Sequence, residues 1–258
     1  MIVRFERNGK QKHGWLVADE NKVRVIEGDI YKQLSAKPIM TGLEVAANEV
    51  KMLTPCSPTK IVCIGVNYLD HALEMGKELP KEPLMFLKPS TTVIGPGDSI
   101  VYPKETKNLH YEGELGIVIK KLARRVKAAD ADDYILGFTC AIDVTARDLQ
   151  NSDGQWTRAK GFDTFCPLGP VIAPKVNYSQ LRIKTTVNGE VRQDSNTNQL
   201  IFKVPEIIEA VTAVMTLLPG DVILTGTPSG VGEIHPGDEI AVEIEGIGTL
   251  QCNVIAEA

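Results

Sequence analysis

Leu109-His110-Tyr111-Glu112-Gly113-Glu114-Leu115-Gly116-Ile117-Val118-Ile119 decides how the chain folds and where its chemistry sits. Residues 115–119 form an apolar, largely β-branched run, the composition of a buried strand. At its head stand Glu112 and Glu114, and residues two apart on a strand point to the same face. Two neighbouring carboxylates repel unless a proton or a cation lies between them. The stretch therefore reads either as metal ligands entering a core or as a solvated strand end.

Further along, Ile135 to Val144 is a second apolar strand with one carboxylate, Asp143, near its end. It stands 143 − 114 = 29 residues beyond Glu114, enough for a crossover that pairs the two strands. Asp143 can then complete a set of three oxygen donors, which suits a hard ion: Mg²⁺, with Mn²⁺ or Ca²⁺ as further choices. Upstream, Ile61 to Val66 is a short apolar strand running into a helical segment, Asn67 to Gly76. On that helix His71 and Glu74 are i and i+3 neighbours, either a general acid/base pair or an unremarkable surface pair. The polar segment Gly76 to Pro83 has the composition of a lid, and Leu84 to Leu87 reads as another buried strand. Lys160 stands among small residues beyond the third carboxylate, as a counter-charge for an anionic substrate or as a solvated lysine.

The rest of the chain supplies the frame. Pro-Gly-Asp occurs at residues 96–98, 219–221 and 236–238, each time before an apolar run, as a turn leading into a strand. Val204 to Leu218 has the apolar spacing of a packing helix, and Val242 to Val254 closes as a hairpin around Gly246-Ile247-Gly248. The glycine-rich Gly226 to Gly232 matches no phosphate or dinucleotide motif. It suits a loop that offers Thr227 and backbone N–H groups to a carboxylate. Residues 1–55 read as a small β unit with an Asn8-Gly9 hairpin turn, with Thr41 to Val50 as a short helix. Pro55 and Pro58 mark the boundary. His13 in this unit is given no catalytic role, and His110 beside the glutamates either supports them from behind or is structural.

A chain of 258 residues, 43% hydrophobic and 24% charged, can bury one large core with a small appendage. A net charge of −5 without a basic run argues against nucleic acid. No stretch approaches the roughly 20 apolar residues of a membrane span, and the N-terminus lacks a signal-peptide core. Five cysteines without a C-x-x-C pair fit a reducing, cytoplasmic setting.

Six of these stretches, in this order, resemble the fumarylacetoacetate hydrolase family: Gly65 to His71, Phe86 to Ser90, His110 to Gly116, Asp143 to Gln150, Lys160 to Asp163 and Gly226 to Gly232. The resemblance spans about residues 58 to 254. It implies a mainly β fold with some α, a mixed β-sandwich roll over residues 56–258 preceded by a small N-terminal β domain over 1–55, and a homodimer. It also implies Mg²⁺ or Mn²⁺ on Glu112, Glu114 and Asp143, a catalytic His71–Glu74 dyad on a lid, Lys160 beside them, and substrate contacts from Arg147, Gln150 and Thr227. The activity implied is on small 2-oxo acids such as acylpyruvates or oxaloacetate, through a metal-stabilised enolate, by C–C hydrolysis or decarboxylation. Isomerisation of a 2-hydroxydienedioate in aromatic catabolism is the alternative within the family, and a non-catalytic, metal-stabilised binding or scaffold protein the alternative outside it.

Overall fold

Asn8 and Gly9, at φ of +51° and +71°, turn the chain back on itself. Strand β1 (Ile2–Arg7) thereby pairs with β2 (Lys10–Val17), and β3 (Lys22–Ile26) and β4 (Met40–Ala46) extend the meander. The computed structural model describes residues 1–33, 38–74, 76 and 79–258. The expected helix over 41–50 is instead β4 followed by a single 3-10 turn at Ala47–Glu49. Its cross-strand partners decide the matter: Val45 sits opposite Val23, and Glu44 opposite Arg24 with a 2.9 Å ion pair. β1 also carries β5 (Lys51–Leu53), and at Ile2 it pairs with Ile172 of β14 (Cys166–Ala173).

Through that contact the meander joins a large sheet. Beyond β14 follow β12 (Ile135–Ile142), β11 (Gly113–Ile119), β17 (Val222–Leu224), β6 (Lys60–Gly65) and β7 (Leu84–Pro89), while β8 (Val93–Ile94) adds to β14 in parallel. A second sheet runs β16 (Glu190–Asn196), β15 (Arg182–Val187), β19 (Glu239–Ile244), β20 (Gly248–Ala256), β9 (Ser99–Tyr102). The two sheets stack face to face, β11, β12 and β14 against β15, β19 and β20. Leu115, Ile117, Cys140 and Ile142 meet Ile183, Val242, Leu250 and Cys252 in one apolar core. Val118 points the other way, toward Ile61, Cys63 and Leu224. Both faces of β11 are covered, which is why its sequence is continuously apolar. The fold is mainly β, a mixed sandwich with an N-terminal β unit.

Three expectations need correction. β11 and β12 are antiparallel neighbours, so no crossover joins them. β7 is an edge strand rather than a buried one, with Leu84 44% and Leu87 46% exposed, because among the described residues only β6 pairs with it. The packing helix α4 (Val204–Val214) stops short of Leu218, since Leu217 leaves it to bridge Ala123. The lid segment lies partly outside the described residues, at Lys77 and Glu78.

Candidate active site

The strand expected over Leu109 to Ile119 is broken at Glu112. β10 (Leu109–Tyr111) belongs to a short third sheet with β13 (Thr145–Ala146) and β18 (Gly232–Glu233), and β11 begins only at Gly113. Glu112 sits at the junction, where its carbonyl accepts the Asp143 N–H at 2.8 Å. Register then places Gly113 opposite Ile142 and Glu114 opposite Ala141, so the chain beyond Ile142 delivers Asp143 beside both glutamates. All three carboxylates are buried, and one oxygen from each lies within 4.8 Å of the others.

Three cations surround them. Lys160, at the end of α3 (Thr157–Lys160), donates to Glu112 Oε2 at 2.9 Å and to Asp143 Oδ2 at 2.6 Å. Arg147, at the start of α2 (Arg147–Asp153), reaches Glu112 Oε1 at 2.5 Å with one nitrogen and Gln150 Oε1 at 2.5 Å with another. Lys88, fully buried at the end of β7, donates to Asp143 Oδ1 at 2.5 Å and to the Val144 carbonyl at 3.0 Å. Lys88 is the residue that reading the sequence missed. Its signal was a lysine closing the apolar run Leu84 to Leu87.

Burial opposes the charge on Glu112, but Lys160 and Arg147 outweigh it and hold the carboxyl well below the usual range. For Lys160 burial is likewise outweighed, by Asp143 and Glu112, which keep the ammonium charged. Glu114 is different. Among the described residues it has no cationic side chain, only the Gly226 N–H at 2.6 Å. Burial and then the negative charges of Asp143 and Glu112 push it well above the carboxylate range. A buried carboxyl that needs a counter-charge, completing three oxygen donors, is what a hard divalent cation fits. Glu112, Glu114 and Asp143 would hold it.

The cavity over this centre is lined by Ile64, Val66, Phe86, Asn151 and Trp156 together with Arg147, Gln150 and Thr227. The Thr227 hydroxyl is already committed, donating to the Gly113 carbonyl at 3.0 Å and accepting from Gln193 Nε2 at 2.7 Å. Val66 is in the left-handed region, at φ +54°, unusual for a β-branched residue. Asn67, fully buried, holds it there by donating to the Thr225 and Phe202 carbonyls and accepting the Phe202 N–H. This turn launches α1 (Leu69–Glu74), which brings His71 to the cavity, only 6% exposed. His71 Nδ1 lies 3.0 Å from Glu74 Oε2. Eight of the nine residues singled out from sequence thus line one cavity, and the ninth, Glu74, holds His71. The five cysteines are free and buried. Burial raises Cys56, Cys140, Cys166 and Cys252 to about 12 and pushes Cys63 well above the usual thiol value, so none is poised as a nucleophile.

Residues 60–255 match the fumarylacetoacetate (FAA) hydrolase C-terminal family. The chain belongs to the fumarylacetoacetate hydrolase family. Residues 1–55 match the Rv2993c-like N-terminal family. The chain is 43% identical to the rat mitochondrial oxaloacetate tautomerase Fahd2a, over 82% of this chain and 71% of that one. The structure of 5-carboxymethyl-2-hydroxymuconate delta-isomerase from Mycobacterium smegmatis superposes with a TM-score of 0.92 at 41% identity, covering 99% of both chains. Maleylpyruvate hydrolase from Sphingobium sp. SYK-6, in complex with manganese(II) ion and pyruvate, gives 0.82 at 30% identity, covering 100% and 99%. Enzymes of this family thus include tautomerases, isomerases and hydrolases. No helix among the described residues is long and apolar enough to cross a membrane.

Proposed function

We propose that this protein is a divalent-metal-dependent enzyme that moves a proton at the carbon beside the oxo group of small 2-oxo dicarboxylic acids. The observation that carries this reading is His71, seated in the same cavity as the three carboxylates with its Nδ1 tied to Glu74. A carboxylate at Nδ1 keeps the proton on that nitrogen. The lone pair of Nε2 is then free to take a proton, the state required of a general base. Three carboxylates and three cations leave the buried cluster formally neutral, so a bound divalent ion would make it +2 and favour a dianionic ligand. Mg²⁺ or Mn²⁺, when bound, supplies a Lewis acid for negative charge on the 2-oxo oxygen. Arg147 and Gln150 in the cavity lining are placed for the substrate's carboxylate, and Trp156 and Phe86 exclude water from its carbon chain. Lys160 keeps Glu112 ionised, and Lys160 and Lys88 hold the Asp143 carboxylate in place.

Keto–enol or double-bond isomerisation needs only this proton shuttle. The tautomerase and isomerase relatives at 41–43% identity support it. C–C hydrolysis is the second reading, supported by the hydrolase relative at 30%; decarboxylation would use the same ligands. The free, buried cysteines support a reducing compartment such as the cytoplasm. A panel of oxaloacetate enol, a 2-hydroxydienedioate and acylpyruvates, assayed with added Mg²⁺ or Mn²⁺, tests the reading. Turnover of the enol or dienedioate is expected, with kcat falling about 10²–10⁴-fold in His71→Ala. Wild-type turnover in that variant would sink it.

A further inference from the structure

Helix α1 is too short to stand alone. It has six residues, fewer than two turns, and an isolated helix of that length is not stable in water. Nor is it seated by an apolar stripe, because Leu69 is 40% and Leu73 79% exposed while His71 and Ala72 are its buried residues. What fastens it is polar. Asp70 Oδ2 accepts the Ser229 hydroxyl at 3.1 Å and the Ser195 hydroxyl at 3.3 Å, while Oδ1 accepts the His71 N–H at 2.8 Å. At the far end Glu74 Oε1 accepts the Gly230 N–H at 3.1 Å, leaving Oε2 for His71.

The loop that donates the Ser229 and Gly230 bonds also grips the carboxylate centre. Gly226 donates its N–H to Glu114 and Thr227 its hydroxyl to the Gly113 carbonyl. One short stretch, residues 226–230, therefore fixes the distance between the carboxylates and the dyad. Ser195, from β16 in the opposite sheet, supplies a second point of attachment, so the helix is referenced to both layers of the sandwich.

We propose that Asp70 is the positioning residue of the dyad: gripped by Ser195 and Ser229, it docks α1 so that His71 faces the carboxylate centre. Asp70 is not itself among the residues lining the cavity; among the described residues it reaches the site through His71. The proposal rests on the proton-transfer reading of His71, and its test separates the two. Asp70→Ala, the double variant Ser195→Ala/Ser229→Ala, Ser229→Thr and His71→Ala are compared in the full-length protein with Mn²⁺. Asp70→Ala should lower kcat about 10²-fold, the scale of a misplaced catalytic group, with KM and calorimetric Mn²⁺ affinity unchanged. The double serine variant should lower kcat about 10-fold, as loss of hydrogen bonds to a charged group implies, and Ser229→Thr, which keeps the hydroxyl, should retain wild-type kcat. If Asp70→Ala proves unstable, the serine variants decide, because they leave the helix sequence intact. Wild-type kcat in the double serine variant, or equal losses in kcat and Mn²⁺ affinity, would overturn the docking role. If His71→Ala is inactive while Asp70→Ala and the serine variants are active, the docking fails and the proton reading stands; if all are active, the proton reading itself has failed.

Discussion

Lys88 and Glu114 mark the two ways a buried charge is met at this site. Lys88 is fully buried with its ammonium on Asp143, and removing one partner of such a pair leaves the other charge unanswered. Lys88→Met should cost about 3–5 kcal/mol of unfolding free energy in urea with metal chelated; a loss below about 1 kcal/mol would mean Lys160 alone suffices for Asp143. Glu114 has the opposite problem, a carboxyl pushed above its unfolded value of about 4.3 by burial and two anionic neighbours. Folded, it binds more protons than unfolded, so its contribution to stability falls as pH rises above about 4.3 toward the folded pKa. As pH rises above about 4.3, the metal-free protein should lose Tm relative to the Mg²⁺-loaded protein. Glu114→Gln should remove that slope. His13 and His110, lowered by burial, act in the other direction, losing stability as pH falls below about 6.5. Comparison with the Gln variant therefore isolates Glu114, and an unchanged slope in that variant would refute the assignment.

Among the elements, the three Pro-Gly-Asp turns were legible because their chemistry is local. In each, the glycine takes a positive φ, the aspartate N–H returns to the carbonyl three residues back, and its carboxylate accepts the N–H of that same residue, from Gly95, Leu218 and His235 in turn. Their settings differ. Asp238 holds a surface turn, whereas Asp221 is fully buried and also binds the Thr59 backbone and hydroxyl and the Lys60 ammonium. Asp238→Ala should cost about 0.5–1.5 kcal/mol and Asp221→Ala about 3–5 kcal/mol, read from urea midpoints; equal costs would show that the turn alone matters. Where local signals failed, pairing overrode them. Residues 41–50 have helical composition, yet β3 offers Val23 and Arg24 to Val45 and Glu44. Leu84 to Leu87 is as apolar as a central strand but lies at the sheet edge, a position that local composition does not encode.

For the whole molecule, the same division explains what the sequence reveals of the site. Glu112 lies two residues from Glu114 and His71 three from Glu74, so spacing speaks for each pair, although Glu112 meets Glu114 at a break between strands rather than on one pleat. Lys88 meets Asp143 across 55 residues, Gln193 meets Gly113 across 80, and Ser229 meets Asp70 across 159, through registers of three sheets. Long-range register also bears on whether residues 1–55 are a separate domain. Ile2, Ile26 and Ile30 share a buried cluster with Ile61, Leu168 and Ile172. Burying three such side chains contributes about 5–9 kcal/mol, comparable with the stability of an entire domain. Unfolding should therefore be one cooperative event. The two tryptophans divide the chain, Trp15 on β2 and Trp156 beside the cavity, so Trp156→Phe reports the N-terminal unit and Trp15→Phe the rest. Their urea midpoints should coincide, as two-state unfolding requires. An earlier transition at Trp15 would instead make the N-terminal unit an independent domain resting on the sandwich.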